Sequence, residues 1–177
     1  MSRLVINTSM TADAVIDVSE WYVSEGEHDR AARDLFANAE AVLLGRKTYE
    51  GLAAYWSPRS DEWADMINPM AKYVASRTLR GQLDWHANVI DGDLAEGVSA
   101  LKSELDRDLV GFGCGELARS LAAHGLVDEF RFWVHPAMWG HGTRPFEGDR
   151  TLRLDLVNAT AFDSGVILMR YRPGAGS

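Results

Sequence analysis

The sequence predicts an α/β domain, a mostly parallel central sheet with helices on both faces and an antiparallel hairpin at the C-terminal end. Three observations predict it. Short β-branched runs alternate with helically spaced apolar residues along most of the chain. Strand-to-helix junctions fall at Gly45 and at Gly113-Cys114-Gly115. Two long strand-like runs close the sequence around Asp163-Ser164-Gly165.

In chain order, Leu4 to Ile6 is a buried first strand, and the polar stretch Asn7 to Ser19 reads as a loop. From Glu27 to Ala39, Ala31, Leu35, Phe36 and Ala39 recur at three- and four-residue intervals, which predicts a helix. Ala41 to Leu44 is a second strand ended by Gly45. A helix follows at once from Arg46-Lys47-Thr48-Tyr49-Glu50 and is broken by Ser57-Pro58. A short helix near Asp61 to Ile67 stops before Pro69. Lys72 to Ala75 is a third strand leading into Ser76-Arg77-Thr78-Leu79, and Asn88 to Ile90 is a fourth. Leu94, Val98, Leu101 and Leu105 form one stripe of a helix. Leu109 to Phe112 is the fifth strand, Glu116 to His124 a helix closed by Gly125, and Glu129 to Val134 the sixth strand. Thr151 to Tyr171 reads as a hairpin, with a frayed end from Arg172 onward. With no internal repeat, linker or compositional shift, residues 1–172 are expected to form a single domain and 173–177 a flexible tail.

Composition narrows the function. The 177 residues are 46% hydrophobic and 25% charged, as in an ordinary globular domain. No apolar run approaches the roughly 20 residues of a membrane span. The three apolar residues near the N-terminus are too few for a signal peptide, so a cytoplasmic location is expected. Eighteen Lys plus Arg against 26 Asp plus Glu leave a net charge of -8, which argues against nucleic-acid binding but permits an anionic small ligand held by a few gathered cations. The single Cys114 excludes an internal disulfide and a thiolate metal cluster. His135 and His141, six residues apart, have no recognised ligand spacing, and no metal is expected.

Ligands of open α/β sheets bind beyond the carboxyl ends of the strands. Gly45-Arg46-Lys47-Thr48 combines a helix N-terminus, two cations and a hydroxyl, a set suited to phosphate; it reads equally as an ordinary turn with solvated basic residues. Gly113-Cys114-Gly115-Glu116 lacks the Cβ atoms that would keep a diphosphate off the backbone, although small residues also suit any tight turn. Gly111-Phe112-Gly113-Cys114-Gly115-Glu116 is a near miss for the GxGxxG fingerprint, with Glu116 where the last glycine belongs, so a standard Rossmann site is not expected. Ser76-Arg77-Thr78 adds hydroxyls and a guanidinium at a third strand end.

In this order, Gly45-Arg46-Lys47-Thr48-Tyr49-Glu50, Val74-Ala75-Ser76-Arg77-Thr78-Leu79 and Gly113-Cys114-Gly115-Glu116-Leu117 resemble the dihydrofolate reductase-like superfamily. Gly125-Leu126-Val127-Asp128-Glu129, His135-Pro136, Gly140-His141-Gly142 and Phe146 extend the resemblance, which is closest to the C-terminal reductase domain of the bifunctional riboflavin-biosynthesis deaminase/reductase. The resemblance runs from about Leu4 to Tyr171. It implies a dihydrofolate reductase-like fold, a homodimer, and an NADPH-dependent reductase that passes hydride to a small heterocyclic or sugar-derived substrate. It places Arg46 at the 2′-phosphate, and Lys47 and Thr48 at the diphosphate. Ser76 and Arg77 would flank the adenosine, next to Thr78, while Gly113, Cys114 and Gly115, with Glu116 following, would back the diphosphate. No H-x-E with P-C-x-x-C is present, so a reductase domain without its deaminase partner is expected. Where the family usually has Ser-x-Asp-Gly, this chain has Thr11-Ala12-Asp13-Ala14. Asp13 is the proton-donor candidate beside the nicotinamide, with Glu27 and Asp29 as others. Ala14 in place of glycine motivates the alternative of a non-catalytic module that binds a nucleotide or heterocycle.

Overall fold

The computed structural model describes residues 1–113, 115–145 and 151–174. The chain forms two compact units. One comprises Met1–Leu4 and Arg33–Phe112, the other Val5–Ala32 and the chain from Gly113 onward. The architecture is the expected α/β class, with mixed, mostly parallel strand pairing, flanking helices and a C-terminal antiparallel hairpin.

The first unit holds β2 (Ala39–Gly45), α2 (Arg46–Trp56), α3 (Glu62–Ile67), β3 (Ala71–Ala75), β4 (Gln82–Leu83), β5 (Ala87–Val89), α4 (Leu94–Glu104) and β6 (Asp108–Phe112). Its strands lie in the order β4-β5-β3-β2-β6. Pairing is parallel except between β4 and β5. β2 is central because Ala41, Val42, Leu43 and Leu44 are apolar on both faces and all buried, the pattern of a strand covered on both sides. Val42, Leu44, Tyr49, Val74 and Ala87 form a core cluster against which Leu52 and Trp85 pack.

Two features of this unit are not visible in sequence pattern. β4 is only two residues long, so it carries no periodicity, and it pairs with β5 through a turn in which Trp85 (φ 61°) and His86 (φ 53°) are left-handed. Lys72, expected only as a strand residue, is fully buried. Its Nζ donates to the carbonyls of Ile67 (2.6 Å) and Asn68 (2.7 Å) at the end of α3 and lies 4.2 Å from the centre of the Trp85 ring. Burial pulls its pKa down to about 8.

The second unit holds most of β1 (Leu4–Thr11), the start of α1 (Glu27–Ala37), α5 (Glu116–Ala123), β7 (Glu129–His135), β8 (Leu154–Ala161) and β9 (Ile167–Pro173). Strand order here is β1-β7-β9-β8. β1 runs parallel to β7 from Val5↔Glu129 to Thr11↔His135, and β9 pairs antiparallel with both β7 and β8. The loop expected from Asn7 onward is therefore strand as far as Thr11. Asn7 and Thr11 are buried with partners inside: Trp133 Nε1 donates to Asn7 Oδ1 (2.7 Å), and Val15 N–H to Thr11 Oγ1 (2.9 Å). The hairpin turns where expected, and β9 continues through Pro173, opposite Leu154. Residues 175–177 and Phe146 lie outside the described residues.

Glu129 joins β7 to β9. Burial alone would raise its carboxyl, but hydrogen bonds from Arg170 (2.8 Å) and Arg131 (2.5 Å) outweigh this and hold it at about 2. Among the described residues, no helix is long and apolar enough to cross a membrane.

Candidate functional site

In the first unit, parallel pairing sets Gly45 opposite Ala75, so the chain leaves β2 and β3 side by side at their carboxyl ends. Arg46 opens α2 there. Its Nε donates to Glu50 Oε1 (2.7 Å) one turn along the helix, and its Nη1 donates to Thr78 Oγ1 (2.8 Å) after β3. Ser76 Oγ accepts from the backbone N–H groups of Thr78 (3.2 Å) and Leu79 (3.0 Å), which fixes that turn and leaves the two hydroxyl oxygens 3.5 Å apart. The structure thus brings Arg46, Ser76 and Thr78 into one cluster. Lys47, exposed, and Thr48, half-buried, follow in the first turn of α2. Arg77 is exposed on the turn itself, and its carbonyl accepts from Arg80 Nη1 (3.0 Å).

The helix termini are of two kinds. α3 and α4 begin with aspartates whose carboxylates accept an N–H of their own first turn: Asp61 from Ala64 and Asp93 from Glu96, each at 3.0 Å. α2 and α5 begin instead with Gly45 and Gly115, which supply no side-chain cap. Their first N–H groups, which have no intrahelical acceptor, receive no cap from the residue before them and lie at the positive end of the helix dipole, where an anion is favoured. Among the described residues, chain neighbours apart, no atom lies within 4 Å of where a Cβ would stand on Gly45 or Gly115. Gly115 has φ of −88°, so neither crowding nor backbone conformation within the protein demands glycine there.

In the second unit, Gly113 has φ of +82°, a conformation that does favour glycine, and its N–H donates to Asn7 O (3.1 Å). Glu116 is the first residue of α5. Cys114 lies outside the described residues.

Asp13 sits in a loop whose polar groups engage both of its carboxylate oxygens. It accepts from Thr11 Oγ1 (2.5 Å), Trp139 N–H (3.0 Å) and Gly140 N–H (2.8 Å), and Arg144 lies 3.6 Å away. These hydrogen bonds, Thr11 first, hold the acid well below the usual carboxylate range. Asp17 acts alike, accepting Thr143 N–H at 2.5 Å. The two carboxylates bind residues 13–17 to residues 139–144, so Asp13 anchors this loop. Between them, Ala14 has φ of 64°, the conformation that glycine adopts without cost.

His135 ends β7 and is buried against Trp21 and Tyr22, with ring centroids 5.2 and 4.7 Å away. Its Nδ1 accepts from Val23 N–H (3.1 Å), and burial, then the neighbouring His28, lowers its pKa to about 4. His28 in turn meets Val23 O through Nε2 (2.9 Å) and Ser164 Oγ through Nδ1 (2.9 Å), which ties the hairpin turn to the 21–28 segment. His141 is exposed and packs on Trp139 instead. Among the described residues, no group of three or more His, Cys, Asp or Glu is arranged to hold a metal ion. Glu50 and Asp17 are the polar partners that motif reading missed. Glu50 carries a signal, since an acid four residues after a helix-initial arginine faces it; Asp17 carries none.

The profile of the RibD C-terminal domain matches residues 3–168. The protein YyaP of Bacillus subtilis (strain 168), itself described as uncharacterized, is 28% identical over 179 residues, covering 96% of this chain and 94% of YyaP. Among solved structures, RibD of Acinetobacter baumannii superposes with a TM-score of 0.69 at 17% identity, covering 98% of this chain and 58% of that one. A pyrimidine reductase-like protein from Corynebacterium diphtheriae superposes with a TM-score of 0.62 at 12% identity, covering 98% of this chain and 92% of that one. At these identities the superpositions speak for the fold.

Proposed function

The chain belongs to the RibD C-terminal domain family, and on that premise we propose that it is an NADPH-dependent reductase acting on a small heterocyclic or sugar-derived substrate. One observation carries the proposal: Arg46, Thr78 and Ser76 cluster beside a helix N-terminus that has no cap of its own. Such a corner offers a guanidinium, two hydroxyls and the backbone N–H groups of an uncapped helix start, the donor set that a phosphate-bearing ribose requires. NADPH, when bound, supplies the hydride. The chain's part is to hold and orient it: Arg46 and Thr78, with Ser76 and Arg77, take the adenosine phosphate end. Lys47 and Thr48 at the start of α2 serve the diphosphate. The planar guanidinium of Arg46 favours a dianionic 2′-phosphate over a bare hydroxyl.

The test is a titration followed by tryptophan emission. NADPH should quench it, and Arg46→Ala should weaken NADPH about 30-fold while leaving NADH within twofold, as expected for losing a charge-assisted contact. Equal losses for both coenzymes would contradict the assignment. A second reading, a module that binds a nucleotide or heterocycle without turnover, is favoured by the ionised, fully engaged Asp13. Tight NADPH binding with no oxidation across carbonyl, imine and pterin substrates would select it.

We also propose a homodimer in the cytoplasm. β8 ends its strand order and exposes Leu156 (59%) and Val157 (42%), a surface suited to a second copy. A monomeric sedimentation profile at micromolar concentration would exclude the dimer.

A further inference from the structure

We infer that Glu50 is a positioning residue for coenzyme selectivity: it holds Arg46 so that the guanidinium end, together with the Thr78 hydroxyl, faces the phosphate that distinguishes NADPH from NADH. This rests on the reading of the Arg46 corner as the 2′-phosphate site. Arg46 and Glu50 are each about half exposed (49% for both side chains), where an untethered arginine samples many rotamers and loses that freedom on binding. Here it is tied twice. The Nε hydrogen bond to Glu50 uses the side edge of the guanidinium, and the Nη1 bond to Thr78 draws the end edge toward the turn after β3. With Nε committed, the N–H groups left for a ligand are on the terminal nitrogens, next to the Thr78 and Ser76 hydroxyls. Thr78 is in turn held by Ser76, which accepts the Thr78 and Leu79 N–H groups. The chain Glu50–Arg46–Thr78–Ser76 thus presets the donors before any ligand arrives. The negative charge of Glu50 acts against an incoming phosphate, but it stands on the Nε side of the guanidinium, in a solvated setting where such repulsion is screened. Orientation outweighs repulsion on this account, and the two effects predict opposite signs.

The experiment measures NADPH and NADH dissociation constants for the wild type, Glu50→Ala, Glu50→Gln and Arg46→Ala, with thermal unfolding of each to verify folding. Glu50→Ala should lower the NADPH-over-NADH preference about fivefold, almost wholly through NADPH. Glu50→Gln, whose amide oxygen still accepts from Nε, should restore it to within about twofold of wild type. An unchanged preference in Glu50→Ala, or a preference that rises because a competing charge has been removed, overturns the inference. A loss that Gln fails to rescue also overturns it, since the charge rather than the tether would then be at work. Failure of the underlying reading looks different: wild type that does not discriminate the coenzymes, or Arg46→Ala that leaves the preference intact, removes the site itself.

Discussion

The Arg46 corner and the Asp13 loop are built from similar materials, charged side chains beside backbone N–H groups, yet they are finished in opposite ways. In the Asp13 loop the carboxylates are engaged within the protein: Asp13 takes three hydrogen bonds, Asp17 takes Thr143 N–H, and Arg144 Nε donates to Asp13 O (3.2 Å). At the Arg46 corner the first turn of α2 has no cap, and the guanidinium keeps terminal N–H groups to spare. A region whose polar groups are consumed internally is set up to hold a shape. One whose donors are left over is set up to bind. The same contrast recurs between the aspartate-capped α3 and α4 and the glycine-capped α2 and α5.

The largest expected effect sharpens the closed side. His135 is buried and held neutral, with its pKa lowered to about 4 from an ordinary 6.5. The unfolded chain takes up a proton as pH falls below 6.5, while the folded chain resists until about pH 4. The stability that His135 contributes is therefore complete above pH 6.5 and lost through the 6.5 to 4 window, by about 3 kcal/mol. Urea unfolding from pH 7 to 4 should show this slope, and His135→Phe should remove that part of it. A variant as acid-sensitive as the wild type would show that the sensitivity lies elsewhere.

A smaller effect would break the contrast outright by closing the open side. Gly45 already has the extended backbone of a cap residue (φ −76°, ψ 160°), and a Cβ there meets no described residue beyond its chain neighbours. Gly45→Asp should supply the missing cap, raising stability by about 0.3 kcal/mol while weakening NADPH about tenfold through occupied N–H groups and like-charge repulsion. Gain in stability with affinity unchanged would mean that this terminus does not serve an anion. The smallest effect is the matching control. Asp93→Ala should cost about 1 kcal/mol in urea unfolding and leave coenzyme affinity where it was, because that cap serves only α4.

Much of this molecule is legible in its sequence because the signals are local. The apolar run from Ala41 to Leu44, the helical spacing of Leu94, Val98 and Leu101, and the Asp163-Ser164-Gly165 turn each set an element without help from afar. The strand ends bearing Gly45, Ser76 and Gly113 follow from the same pattern. The extension of β1 through Asn7 and Thr8 does not, since polar side chains read as loop until Trp133, 126 residues away, supplies a partner for Asn7. The two-residue β4 is too short to have a period, and the buried Lys72 gives no sign in sequence that α3 and Trp85 will enclose it.

Periodicity, glycine placement and the chemistry of single turns, properties of neighbours along the chain, determined the class of fold and the residue types at the strand ends. Tertiary structure decided which of those groups are spent and which are spare. It ties Asp13 to backbone 126 residues distant and leaves Arg46 with donors in hand. The physical reason is that a hydrogen bond depends on distance in space, and partners separated by a hundred residues meet only once the sheet has brought them together.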